Sequence, residues 1–160
     1  MRVICNTSPL ILLAKIRRLD LLDQLYYKVS IPSSVLKEVE AKPGKETELI
    51  QSLLQRQKFQ LRQATKRTLE ELPPGLGAGE REAIALALET RANLVALDDQ
   101  QGRHIARERG LSVTGTIGIL IEARQKGMIP SVRCELDRLI EVGMWVHEVF
   151  YHRILQEFGE

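Results

Sequence analysis

The sequence predicts an α/β fold: a three-layer α/β/α domain with a central, mainly parallel sheet and additional helices at the C-terminal end. Three observations carry this reading. The candidate strands, "VIC" at 3–5 and "NLVAL" at 93–97 foremost, are short apolar runs without polar alternation, as expected of strands covered on both faces. They alternate with segments whose apolar residues recur at helical spacing. Finally, "LPPGLGAGE", residues 72–80, punctuates the chain and opens a helix, "REAIALALET", that is apolar nearly all round and so belongs in the interior.

Taken in order, residues 2–5 read as a buried first strand. Leu10, Leu13, Ala14 and Ile16 then mark a helix, and Leu21, Leu22 and Leu25 a short second one beginning at Asp20. "KVSI" at 28–31 is a second strand ended by Pro32, after which Ser33 and Ser34 start a helix with Val35, Leu36 and Val39 on its apolar side. "AKPGKE" is a turn, residues 45–57 an amphipathic helix, and "FQLRQA" a third strand. The buried helix after the glycine-rich turn leads to "NLVAL", then "DDQQGRHIARERG" supplies a loop and helix, and "LSV" a last short strand. "TGTIGILIEARQKG" passes from small residues into a helix, and two or three helices close the chain from Ser131 to Glu160.

Composition narrows the class. A length of 160 residues favours one domain, 1–160, and a chain of this size buries about 70% of its unfolded surface without needing a staple. Cys5 lies in an apolar strand and Cys134 in a helical pattern, so both read as reduced, buried thiols of a cytoplasmic protein. The start has no charged segment leading into an apolar one, and no apolar run reaches membrane-spanning length, so neither export nor a membrane is expected. Net charge is only +2, which permits an anionic partner without requiring one. Arg17–Arg18, the basic stretch 58–66 and the Arg103, Arg107, Arg109 cluster read most simply as solvated helix faces. Arg103 and Arg107, just after an acidic pair, are the candidates for nucleic-acid contact.

Open parallel sheets bind ligands beyond the carboxyl ends of their strands. The first strand delivers Asn6, Thr7 and Ser8 to that edge, and the helix after the second carries Glu38 and Glu40. The helix after the glycine-rich turn begins with Glu80 and Glu82, the fourth strand ends in Asp98 and Asp99, and the last in Thr114, Gly115 and Thr116. Taken singly, each acid has a plain explanation: a helix surface, a first-turn acid favoured by the dipole, or an N-cap. Jointly they suit a hard divalent ion, because clustered carboxylates repel unless a cation lies between them and oxygen-only ligands select Mg²⁺ or Mn²⁺ over zinc. Glu80 and Glu82, two positions apart on a helix, cannot both point into one site. His147 and His152 lack zinc-ligand spacing.

The order "NTSPLI", "IPSSVLKEVE", "LGAGEREAIALA", "LVALDDQQGRHIA" and "VTGTIGILIEA" resembles the PIN-domain superfamily, and within it a prokaryotic PIN-like branch related to VapC-type toxins. The resemblance covers nearly the whole chain. It implies a nuclease that uses three or four acids to hold Mg²⁺ or Mn²⁺ and cleave RNA, with a small antitoxin protein and a homodimer as partners. By motif, the metal-binding positions fall on Asn6, Glu38, Glu82 and Asp98, with Glu80 and Asp99 as further catalytic acids. Thr7, Ser8 and Thr114 or Thr116 supply supporting hydroxyls. Asn6 departs from the pattern, because the superfamily has an aspartate there; an amide oxygen ligates a hard cation but brings no charge. A weakened nuclease, a nuclease that draws the missing charge from Glu80 or Asp99, and a binding module without catalysis are the readings this leaves. A phosphoreceiver is excluded because its acidic pair would follow the first strand, and "GLGAGE" is not a dinucleotide loop, since it follows two prolines instead of a strand.

Overall fold

The computed structural model describes residues 1–160. Its sheet has five parallel strands in the order β3-β2-β1-β4-β5. These are β1 (Arg2–Cys5), β2 (Lys28–Pro32), β3 (Phe59–Arg62), β4 (Leu94–Ala96) and β5 (Val113–Thr114). The chain first runs outward from β1 through α1 (Thr7–Lys15) and α2 (Asp20–Leu25) to β2, then through α3 (Ser33–Glu40) and α4 (Lys45–Leu53) to β3. It returns through α5 (Lys66–Glu70) and α6 (Ala78–Thr90) to β4 on the other side of β1, and through α7 (Gln100–Glu108) to β5. Helices α8 (Thr116–Gln125), α9 (Val132–Glu141) and α10 (Glu148–Glu157) follow.

The central strands β1 and β4 divide their side chains between two apolar layers. Val3 and Cys5 of β1, Val29 and Ile31 of β2 and Ala96 of β4 face the larger layer, filled from α1–α4 and α8–α10. Ile4 and Val95 face the smaller one, built from Ala83–Ala87 of α6 with Ile105 and Ala106 of α7. β1 and β4 are covered on both faces, which is why they read as unbroken apolar runs, whereas Leu61 and Arg62 of the edge strand β3 are exposed. Helix α6 has six consecutive buried residues, Glu82–Ala87, matching its all-round apolar sequence.

Several expectations need correction. The helix expected over 45–57 ends at Leu53, where Gln55 and Arg56 donate back three residues and tighten the chain into a turn. The third strand stops at Arg62. Cys134 is exposed, because the buried residues Val132, Glu135, Leu136 and Leu139 define the inner side of α9 and it lies off that side. Cys5 is buried as expected, and desolvation, then the charge of Asp98, push its thiol pKa far up, so it is inert. Part of the basic surface is paired. Arg18 donates to the buried Glu135 at 2.6 Å, and Arg56 and Lys58 both reach Asp23, at 3.0 and 3.3 Å. No helix is long and apolar enough to cross a membrane.

Candidate metal centre

The strand order reverses at β1, where β2 lies on one side and β4 on the other. The carboxyl ends of β1 and β4 therefore open a crevice that no crossover helix covers, the place where parallel sheets bind ligands. Asn6 follows β1 directly, and its backbone N–H donates to the Ala96 carbonyl at the end of β4 at 3.1 Å. This bond extends the β1–β4 ladder past Cys5, so the first and fourth strand ends lie side by side. Asn6, Thr7, Ser8, Glu38, Glu80 and Asp98 line one cleft, closed on its outer side by Ile11, Leu12, Gly143 and Met144.

The two hydroxyls after Asn6 hold the two flanking acids. Thr7 donates to Glu38 Oε2 at 2.5 Å and Ser8 to Asp98 Oδ2 at 2.9 Å. Helix N-termini hold the same acids from behind. The Gly79 amide in the first turn of α6 donates to Glu38 Oε1 at 2.9 Å, and Thr116, first residue of α8, donates its amide to Asp98 Oδ1 at 2.8 Å and its hydroxyl to Oδ2 at 2.6 Å. Each amide is one that the helix itself cannot satisfy, and each helix end favours a negative charge. A carboxylate has about four lone-pair positions, so Glu38 and Asp98 both keep room for a further ligand.

Asn6 differs from these neighbours. It is 5% exposed, and its Oδ1 is fully buried without a hydrogen-bond partner. Such an oxygen costs about 1–3 kcal/mol if nothing meets it. A Cβ at Gly79 would stand 3.0 Å from Asn6 Oδ1 and 2.9 Å from both Glu38 oxygens, so only glycine lets these groups converge. Glu80 adds a third carboxylate. Its pKa is raised, first by burial and then by the charges of Asp99 and Glu38, with the Gly77 amide opposing.

An orphaned amide oxygen among carboxylates is an oxygen-only donor set whose chemistry fits a hard divalent cation. The fit is in donor type: no three acidic, histidine or cysteine side chains are already drawn together at ligating distance.

Two acids of the expected set do not line the cleft, although Asp99 stands beside Glu80 at its margin. Glu82, placed by motif among the metal positions, is 3% exposed and points away from the cleft. It accepts from the Ser33 hydroxyl at 2.9 Å, the Ser34 amide at 2.7 Å and the Ala64 amide at 3.4 Å. Helix α3 has Pro32 at its N-cap and no side-chain cap of its own, so Glu82 supplies that cap from another helix. Two positions along a helix turn a side chain by about 200°, which puts Glu80 in the cleft and Glu82 behind it. Asp99 is exposed and caps α7, accepting from the Gly102 amide at 2.8 Å. Thr116 reaches Asp98, whereas Thr114 borders the adjoining pocket with Arg103. Arg107 lines a further pocket beside Asp98. Gly79, Gly143 and Met144 were not foreseen. The small residues of "LGAGE" were the only sequence signal for Gly79.

Fold and site together define a parallel α/β/α domain with an acidic, oxygen-lined cleft at its strand-order reversal. A family model described as a PIN domain (DUF3368) matches residues 2–160, and the chain belongs to the PIN-domain family. Among solved structures, the PIN domain endonuclease Utp24 is similar, with a TM-score of 0.53 at 16% identity over 71% of this chain and 84% of that one. A PilT N-terminus domain protein from the hyperthermophilic archaeon Sulfolobus solfataricus also matches, with a TM-score of 0.49 at 18% identity over 77% of this chain and 93% of that one. No curated protein matches.

Proposed function

We propose that this protein is a ribonuclease that hydrolyses phosphodiester bonds of RNA with Mg²⁺ or Mn²⁺ held by Asn6, Glu38 and Asp98, Glu80 standing beside them. The observation that carries the proposal is the buried, unpartnered Asn6 Oδ1 converging with Glu38 at Gly79. Membership in the PIN-domain family, a nuclease-type family, supports it. A bound divalent ion supplies a low-pKa water and a clamp for a phosphate oxygen. The chain's own residues do the rest. Thr7 and Ser8 fix the carboxylate rotamers, the amides of α6 and α8 orient Glu38 and Asp98, and Ile11, Leu12 and Met144 limit water at the outer wall. Glu80, which lines the same cleft, is the carboxylate placed to take a proton from the attacking water.

The test is cleavage of single-stranded and structured RNA by purified protein with Mg²⁺, Mn²⁺ or EDTA. Cleavage with either metal and none with EDTA supports the proposal; intact RNA under every condition overturns it. The amide at Asn6, which brings no charge to the site, favours a second reading, a nucleic-acid-binding module without catalysis, which predicts RNA binding with no cleavage. The VapC-type resemblance extends the proposal to a homodimer with a small antitoxin protein, for which sedimentation and co-purification are the checks.

Two variants probe the site directly. Asn6→Asp restores the charge that the amide lacks, and Mn²⁺ affinity measured by calorimetry is expected to rise about tenfold, equivalent to about 1.4 kcal/mol. Unchanged affinity would remove Asn6 from the ligand set. Gly79→Ala places a methyl group where Glu38 and Asn6 meet, and the carboxylate, the mobile partner, gives way. Cleavage is expected to fall about 100-fold while the unfolding midpoint in urea holds or rises slightly, since alanine favours a helix over glycine.

A further inference from the structure

Beside the acidic cleft lies a second pocket of about 430 Å³, walled by Asp98, Gln100, Arg103, Arg107, Trp145 and Phe150 among others. It shares Asp98 with the cleft. The segment between α9 and α10 joins the two: Gly143 and Met144 face the cleft, and Trp145 faces this pocket. That segment is held at both ends. Gly143 turns the chain at φ +104°, Ile154 and Leu155 of α10 are buried in the larger core, and Tyr151 donates to Asp137 at 2.6 Å.

Trp145 is 79% exposed, and its ring meets His147 in a T-shaped arrangement at 5.7 Å that leaves most of the indole open. An exposed tryptophan next to an exposed Phe150 marks a binding surface. The charges beside it say what binds. Arg103 makes no ion pair, and its Nε is the one buried guanidinium nitrogen of the chain without a hydrogen-bond partner. Arg107, one helical turn on, is unpaired as well and faces the same pocket. Two guanidiniums without an ion pair beside an open aromatic face complement a nucleotide, phosphate for the arginines and base for the indole, with the Asp98 carboxylate on the wall shared with the cleft.

We infer that this pocket binds a nucleotide adjoining the scissile phosphate of single-stranded RNA, its base stacked on Trp145 and its phosphate paired with Arg103 and Arg107. The inference rests on the ribonuclease reading and adds a base-stacking subsite to it, one that requires the base to leave its own duplex.

Trp145 is the sole tryptophan of the chain, so its emission reports on this site alone. The probe is a fluorescein-labelled oligouridylate of about 12 nucleotides, within the span of known single-strand sites, titrated in EDTA with binding followed by anisotropy. Tryptophan emission is expected to be quenched in step with binding. Trp145→Ala should weaken binding about tenfold or more, Trp145→Phe should recover most of it, and a duplex of equal length should leave the emission unchanged. Binding without quenching, no binding, or an emission change that follows protein concentration alone, with self-association in sedimentation, each overturns the inference; the last identifies a second copy as the occupant of this face. If Trp145→Ala binds and cleaves like the parent, the stacking site fails and the ribonuclease reading stands. If the oligonucleotide quenches Trp145 while RNA stays intact with Mg²⁺ and Mn²⁺, the reverse holds.

Discussion

Asp98→Asn is expected to reduce metal-dependent RNA cleavage by at least about 100-fold, equivalent to about 2.7 kcal/mol of lost transition-state stabilisation, while the fold survives. Asp98 stands at the end of the β4 segment, bordering both the cleft and the adjoining pocket. An asparagine there can turn its oxygen toward the Thr116 amide and its nitrogen toward the Ser8 and Thr116 hydroxyls, which can accept as well as donate. The hydrogen bonds are therefore preserved and the charge alone is removed. The measurement is initial cleavage rate in Mn²⁺, with Mn²⁺ affinity by calorimetry and a urea unfolding curve as companions. A variant that unfolds like the parent, binds Mn²⁺ more weakly and cleaves poorly supports the assignment. One that cleaves at the parental rate removes Asp98 from the site and with it the metal centre as drawn.

Glu82→Ala should have the largest effect on stability and little on chemistry. Its carboxylate is the shared acceptor for Ser33, Ser34 and Ala64, so it ties the start of α3 and the exit from β3 to α6. Its loss leaves the Ser34 and Ala64 amides without a partner, at about 3 kcal/mol in total. Glu82→Gln should cost less, because one oxygen still caps Ser34 while the new amide nitrogen faces a donor. Urea denaturation measures the loss, and cleavage per folded molecule measures the chemistry. If Glu82→Ala abolished cleavage with an unchanged unfolding curve, Glu82 would belong to the site and Glu80 would not.

These two acids show how the sequence divides what it specifies from what it leaves open. The parallel sheet was legible because "VIC" and "NLVAL" lack polar alternation, and a strand of that kind must be covered on both faces. The crevice was legible too, since Asn6 and Asp98 directly follow predicted strands and Glu38 lies on the helix after another. The interior position of α6 followed from its apolar sequence. Local pattern suffices for such features, because each is set by one element's own burial. The exposure of Cys134 was not legible, as a helical pattern gives the period of burial more surely than its phase.

The sequence by itself determined the α/β/α class, the edge of the sheet that carries the acids and the amide at Asn6 in place of an aspartate. Only the tertiary structure decided that Glu80 enters the cleft and Glu82 caps α3, because the phase of α6 is fixed by packing that no local pattern encodes. It alone left Asn6 Oδ1 unpartnered, and it alone brought Trp145 from the α9–α10 connection to the rim beside Asp98. Positions far apart in the chain meet only through the docking of whole helices, and that geometry is a property of the assembled core.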